Sequence, residues 1–167
     1  MSPADRFLLD ASVFIQAHRA YYAFDICPGF WSCLVQNQAT SRMLSIDHVR
    51  RELLAGKDPL ADWVRNALPA AAFASTGEKP VARAFGEIMA WVQAQPKFLP
   101  AAKAEFADGA DGWLVAYAKA EGLVVVTQEV YDENVRRRVP IPNVCRQFGV
   151  NFIGTYDMLR AFGAKFQ

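Results

Sequence analysis

The chain has 167 residues, of which 53% are hydrophobic and 21% charged, and its formal net charge is +1. This length fits a single domain over residues 1–167, and the hydrophobic fraction excludes a disordered chain. No apolar run approaches the roughly 18 residues that cross a bilayer, and three cysteines are too few for a disulfide framework, so we expect a reducing cytoplasm and no membrane contact. Taken at face value, near neutrality argues against a nucleic-acid binder, because such proteins are usually basic.

Short apolar segments alternate with amphipathic ones along the chain. Residues 7–9, 43–46 and 123–127 are continuously apolar or nearly so and too short for helices, which predicts buried strands. Apolar residues three and four apart, bounded by Pro or Gly, predict the intervening helices. In chain order the predicted elements are strand 7–9, helices 11–22 and 30–38, strand 43–46, helices 48–55, 60–68, 81–94, 101–106 and 110–121, strand 123–127, helix 143–148, strand 150–153 and helix 156–162.

This order of elements predicts the fold class. Apolar strands that alternate with helices are typical of a parallel sheet covered on both faces. We therefore expect an α/β protein, a three-layer α/β/α sandwich with a central parallel sheet. Within it, Asp47 is the expected N-cap of helix 48–55, and Gly56 is its expected C-cap.

Four acidic residues occupy positions that a parallel sheet brings together. Asp10 follows the first strand, Glu129 follows strand 123–127, Asp111 opens the helix before that strand, and Glu52 lies beside the core-facing stripe of its helix. Loops at the carboxyl ends of parallel strands form the binding crevice of such folds. Acids that converge there repel one another, and a hard divalent cation such as Mg²⁺, which prefers oxygen ligands, resolves this repulsion.

Each acid also has a purely structural interpretation. Asp10 can cap the following helix, and a negative charge such as Asp111 is favourable near the start of any helix. Glu52 can pair with a neighbouring arginine, and Glu129 can be a solvated loop residue. Asp108 competes with Asp111, although only Asp111 is in phase with the apolar stripe of its helix. All of these interpretations must hold together for a site to be absent, so the shared placement favours a site.

Segments in the same order along the chain resemble the motifs of PIN-domain nucleases. An apolar strand with Asp and Ser at its end, a helix with a Glu, a helix that begins with Asp and continues with spaced alanines, and a strand that ends in Thr-Gln-Glu each resemble a family motif. They cover residues 8–15, 46–54, 111–118 and 125–129. Residues 141–145 through 156–159 further resemble a PIN-like bacterial and archaeal subfamily catalogued as a domain of unknown function.

The resemblance implies a PIN-like fold and an endoribonuclease that uses Mg²⁺ or Mn²⁺ to hydrolyse RNA phosphodiester bonds, giving a 5′-phosphate and a 3′-hydroxyl. Residue by residue, it makes Asp10, Glu52 and Asp111 metal-binding catalytic acids and Glu129 the fourth such acid. Many relatives are toxins of toxin–antitoxin pairs, so an antitoxin protein is an implied partner besides the RNA substrate.

The fourth acidic position departs from the family pattern. This position is more often Asp, and Glu129 is longer by a methylene group, so Asp132 and Glu133 remain alternatives for it. Ser12 and Thr127 are candidates to orient a water or a ligand carboxylate from behind the metal ligands. A bound metal can lower the pKa of a water and clamp a phosphate oxygen, so this chemistry requires no histidine.

Arginines follow or flank two of the acids and are candidate contacts to RNA. They are Arg50, Arg51, Arg136, Arg137 and Arg138. Phosphate contacts supply affinity that is independent of sequence, whereas a short charge run is equally often a solvated face. If the four acids form the site, 18 Lys and Arg face only 13 other acidic residues, so near neutrality no longer argues against RNA.

Other functions carry less support. A Cys145 nucleophile with His48 as its base is open, although free cysteines are usually buried hydrophobes. Haloacid-dehalogenase-type phosphatases require an acid two residues after Asp10, where Ser12 stands. The main alternative is a non-catalytic PIN-like module that binds protein or RNA, which the atypical Glu129 and the abundant aromatic residues suggest. Exposed aromatic residues would also suit a homodimer.

Overall fold

The computed structural model describes residue 2 and residues 4–166. The strands are β1 (Phe7–Leu9), β2 (Met43–Ile46), β3 (Phe73–Ala74), β4 (Val124–Val126) and β5 (Phe152–Ile153). The helices are α1 (Ala11–Gln16), α2 (Pro28–Ala39), α3 (Asp47–Ala55), α4 (Pro59–Ala67), α5 (Lys79–Ala94), α6 (Pro100–Asp108), α7 (Asp111–Glu121), α8 (Ile141–Phe148) and α9 (Thr155–Ala161). Among the described residues, no helix is both long and apolar enough to cross a membrane.

The strands form one parallel sheet in the order β3-β2-β1-β4-β5. Phe7 of β1 aligns with Met43 of β2 on one side and with Val124 of β4 on the other. The side chains of β1 are fully buried, because strand β1 lies in the middle of the sheet with helices packed around it. This arrangement confirms the predicted α/β sandwich with a central parallel sheet.

Two secondary-structure elements differ from the sequence prediction. Strand β3 was not predicted, because it has only two residues and follows a run of alanines that carries no alternating pattern. The predicted helix 11–22 is α-helical only as far as Gln16 and continues as a π-helical turn over Ala17–Tyr21. A period of 3.6 residues does not distinguish these two helix types over so short a segment.

The predicted N-cap role of Asp47 is wrong. Asp47 is the first residue of α3, and Ile46 occupies the N-cap position. The Asp47 carboxylate instead accepts hydrogen bonds from the backbone N–H of Thr76 (3.2 Å) and from its hydroxyl (3.0 Å). Thr76 follows the unpredicted strand β3, so sequence spacing alone held no signal for this contact. Gly56 follows the last helical residue of α3, as predicted.

Gly112 allows the first turn of α7 to approach α5 and α6 closely. A Cβ atom on Gly112 would lie 2.9 Å from Met89 Cε, 3.1 Å from Phe85 Cε2 and 3.3 Å from Phe106 Cε1. Such distances leave no room for a methyl group in a packed interior. The close approach sets the position of Asp111, the residue directly before Gly112.

Candidate acidic active site

Asp10 lies at the carboxyl end of the central strand and is 5% exposed. Its carboxylate oxygen Oδ2 accepts hydrogen bonds from the hydroxyls of Ser12 (2.6 Å) and Thr127 (3.0 Å). Asp10 occupies the N-cap position of α1, but its side chain makes no capping hydrogen bond. The contact with Thr127, which lies in the loop after β4, shows that Asp10 does more than cap a helix.

Ser12 and Thr127 join the loop after β4 to the Asp10 carboxylate. The Ser12 hydroxyl oxygen accepts a hydrogen bond from the Gln128 N–H (3.1 Å), and that of Thr127 accepts one from the Glu129 N–H (3.1 Å). Each hydroxyl thus accepts a hydrogen bond from a backbone N–H and donates a hydrogen bond to Asp10. Because a backbone N–H holds each hydroxyl, the two hydroxyls together restrict the orientation of the Asp10 carboxylate.

The four predicted acids all line one cleft of about 470 Å³. They come from the end of β1, from α3, from the first residue of α7 and from the loop after β4. Asp111 also lines an adjoining cavity of about 390 Å³, together with Glu105 and Phe106 of α6. Asp108, the alternative to Asp111, is exposed at the end of α6 and lines neither cavity.

Burial raises the pKa values of three acids in this cleft, and neighbouring negative charges add to the effect for two of them. Burial raises the pKa of Asp10, although the hydrogen bonds from Ser12 and Thr127 oppose this effect. Glu52 is exposed as a residue, but partial burial of its carboxyl group, followed by the charge of Asp10, raises its pKa. For Asp111, burial and the charges of Asp10 and Glu52 raise the pKa to about 7, against the opposing charge of Arg138. Binding of a cation or a proton in the cleft is therefore favourable.

Glu129 makes a different set of contacts from the other three acids. Its Oε2 atom accepts a hydrogen bond from the Ile141 N–H (3.0 Å) at the start of α8, and its Oε1 atom is paired with the Arg138 guanidinium. Both carboxylate oxygens are thus engaged by the protein. Its assignment as a metal ligand stays a prediction. Asp132 and Glu133 are exposed and line neither cavity.

The arginines predicted to contact RNA fall into two groups. Arg138 lines both cavities, whereas Arg136 and Arg137 are exposed and line neither. Arg50 is half-buried and Arg51 exposed on α3, and both lie outside the cavity linings.

Sequence reasoning missed three polar residues of the two cavities, namely Gln16, Glu105 and Gln128. Gln16 ends α1, one turn after Ser12, and that spacing was an available signal for its position. Glu105 lies near Asp111 because α6 packs against α7. The sequence pattern gives no signal for this packing. The charge of Glu105 adds to those that raise the pKa of Asp111.

A cysteine nucleophile at Cys145 is not supported. Burial raises the pKa of its thiol to about 12, so the thiolate is scarce at neutral pH. Its candidate base, His48, points its Nδ1 atom to Asp47 (2.9 Å) and to the Thr76 hydroxyl (3.1 Å). Those contacts belong to the junction of α3 and β3, not to the surroundings of Cys145.

The cleft offers carboxylate, hydroxyl and amide oxygens, which is a donor set suited to hard cations. Within the described residues, no group of three or more His, Cys, Asp or Glu side chains is arranged to hold a metal ion. Mg²⁺ usually keeps several waters and takes only one or two carboxylates directly. The chemistry of this oxygen-rich donor set fits Mg²⁺ or Mn²⁺.

Comparison with known proteins identifies the family of this chain. No curated protein matches the chain. The family described as "Domain of unknown function (DUF4411)" matches residues 7–166, a span that runs from β1 past α9 and contains every acid of the cleft. The chain therefore belongs to this family of domains of unknown function.

Proposed function

We propose that this protein is a PIN-like endoribonuclease that hydrolyses RNA phosphodiester bonds with Mg²⁺ or Mn²⁺. The observation that carries the proposal is the meeting of Asp10, Glu52 and Asp111, from three separate elements, in one cleft. A fold gains no stability from bringing three carboxylates together, so their convergence favours a function that needs concentrated negative charge.

In this proposal each residue has a defined task. Asp10 and Asp111 hold the cation, and Glu52, at the exposed rim, orients a water or the substrate. Ser12 and Thr127 keep the Asp10 carboxylate aimed into the cleft through their hydrogen bonds. When bound, the metal lowers the pKa of a water and offsets the charge of the phosphate. The products are a 5′-phosphate and a 3′-hydroxyl.

The cellular role is a further part of the proposal. We propose that the protein acts in the cytoplasm and that an antitoxin protein or a second copy of the chain are its candidate protein partners. A second function, a non-catalytic module that binds RNA or protein, is favoured by one observation. Both oxygens of Glu129 already contact protein groups, which leaves fewer acceptor sites for a metal ion.

A cleavage assay with paired variants tests the proposal. Purified protein is incubated with labelled RNA in Mn²⁺, in Mg²⁺ and in EDTA, alongside Asp10→Asn and the control Asp108→Asn. We expect cleavage in either metal and none in EDTA. Asp10→Asn should lower the cleavage rate more than about 100-fold. Even residues that only hydrogen-bond to metal ligands change metal affinity or activity by about 10- to 100-fold.

The control separates loss of the site from loss of charge or of folding. Asp108 is exposed and outside the cleft, so Asp108→Asn should retain the wild-type rate within about twofold. Thermal unfolding of both variants checks that they are folded. Equal cleavage in EDTA, or full activity of Asp10→Asn, would show that the acids do not act as proposed. Saturable Mn²⁺ binding without RNA cleavage would favour the non-catalytic module.

A further inference from the structure

Arg138 lies where the two cavities of the acidic site meet. Among the described residues it is the only cationic side chain that lines either cavity, and it lines both. Its side chain is 55% exposed, although it is paired with Glu129, which is only 16% exposed. The guanidinium thus connects a well-covered carboxylate to the open cleft.

The backbone N–H and both carboxylate oxygens of Glu129 are held by contacts within the protein. Its backbone N–H is bound to the Thr127 hydroxyl (3.1 Å), and one carboxylate oxygen is bound to the Ile141 N–H (3.0 Å). That N–H belongs to the first residue of α8, where a negative charge is favourable. The other oxygen meets Arg138. The backbone around Arg138 is also anchored, because the Arg136 carbonyl accepts a hydrogen bond from the Leu99 N–H (2.9 Å).

We propose that Arg138 binds a phosphate of the RNA substrate at the cleft, and that Glu129 is a positioning residue that aims the Arg138 guanidinium rather than a metal ligand. This inference rests on the proposed function in taking RNA as the substrate. It differs from the assignment of Glu129 that the family resemblance implies.

The chemistry of the guanidinium group supports this assignment. It carries five N–H donors in a planar fork, so contact with one carboxylate oxygen leaves donors for a phosphate. The cleft needs such a group, because Asp10, Glu52 and Asp111 repel an approaching phosphate. A guanidinium held by a well-covered carboxylate loses less side-chain entropy on binding than a free surface arginine.

RNA binding in EDTA tests the role of Arg138 without cleavage or metal. The affinity for a fluorescent single-stranded oligonucleotide is measured by anisotropy for the wild type, Arg138→Ala and Arg137→Ala. Both variants remove one positive charge from an exposed side chain, but only Arg138 lines the cavities. We expect Arg138→Ala to weaken binding at least about tenfold, as for a lost hydrogen bond to a charged group, and Arg137→Ala at most about threefold. Arg138→Lys should recover part of the loss, because Lys keeps the charge but not the planar fork.

A double-mutant cycle tests the role of Glu129. Glu129→Gln keeps an acceptor for the Ile141 N–H but loses the charge that holds Arg138. We expect it to weaken RNA binding and the Glu129→Gln/Arg138→Ala double variant to bind no more weakly than Arg138→Ala, because Glu129 acts through Arg138. Mn²⁺ affinity, measured by calorimetry, should change by less than about twofold in Glu129→Gln and fall at least about tenfold in Asp10→Asn.

The possible outcomes separate this inference from the proposed function. Equal effects of Arg138→Ala and Arg137→Ala, additive effects in the cycle, or a loss of Mn²⁺ affinity in Glu129→Gln equal to that in Asp10→Asn would each overturn the inference while leaving the nuclease intact. RNA binding that depends on Arg138 without any cleavage would support the inference and reject the nuclease. Absence of both binding and cleavage by the wild type would reject both.

Discussion

Replacing Asp111 by Asn should stabilise the metal-free protein near neutral pH. Burial, together with the charges of Asp10 and Glu52, raises the pKa of Asp111 from 3.8 to about 7 in the folded protein. Between these two values the folded state binds a proton that the unfolded chain does not. The free energy of unfolding therefore falls as the pH rises through this window and levels off above it.

The size of the effect follows from the two pKa values. Each pKa unit corresponds to about 1.4 kcal/mol, so the rise from 3.8 to about 7 corresponds to about 4 kcal/mol above pH 7. Glu52 is exposed and can turn toward water, which relieves part of this cost. We expect Asp111→Asn to raise the free energy of unfolding by roughly 2–4 kcal/mol at about pH 7.5 and by about 1 kcal/mol or less at about pH 4.5.

Urea unfolding in EDTA at the two pH values measures this difference. Asp108→Asn is the matched control, because Asp108 is exposed at the end of α6 and should give a change within about 0.5 kcal/mol. An Asp111→Asn gain no larger than that of the control, or a gain of the same size at both pH values, would refute the reasoning. Excess Mn²⁺ should stabilise the wild type more than Asp111→Asn, because only the wild type keeps the full set of ligands.

Two further predictions concern the scaffold. Gly112→Ala should destabilise the protein by about 1–3 kcal/mol through the overlap with neighbouring side chains, whereas Gly86→Ala, also in a helix but with nothing within 4 Å of its Cβ, should stabilise it by about 0.5–1 kcal/mol. Thermal unfolding measures both, and a Gly112→Ala variant as stable as Gly86→Ala would contradict the packing argument. Burial acts to raise the pKa of Asp47, but hydrogen bonds from His48 and Thr76 outweigh it and lower that pKa below 3.8. Thr76→Val should therefore lower the free energy of unfolding by about 1–2 kcal/mol at neutral pH. The loss should be smaller below pH 3.8, because Asp47 then gains a proton. Urea unfolding at neutral pH and below pH 3.8 measures both losses, and equal losses would count against this account.

The sequence predicted those features that depend on local pattern. The strands β1, β2 and β4 are continuously apolar because both faces of the sheet are covered, and this pattern is visible without any contact information. Asp10 could be placed because it follows β1 directly, and Glu129 because it lies in the loop after β4. Asp111 could be distinguished from Asp108 by its phase on the helix, and the structure places only Asp111 in the cleft.

Other features depend on contacts between residues far apart in the chain. The two-residue strand β3 and the bond between Asp47 and Thr76 have no periodic signature, since a strand this short is defined by its neighbour. Glu105 joins the acidic site because α6 packs beside α7. Nothing in the run of three arginines distinguishes Arg138 from the two before it.

The amino-acid sequence by itself determined the alternation of buried strands and helices, and hence that acids at strand ends share one edge of a parallel sheet. This follows because hydrophobic burial acts on every residue according to its own side chain. The tertiary structure alone determined which charges interact: Asp10 with two hydroxyls, Asp111 with other carboxylates, and Glu129 with Arg138. Electrostatic interactions depend on distance and burial, and both are properties of the folded chain rather than of sequence spacing.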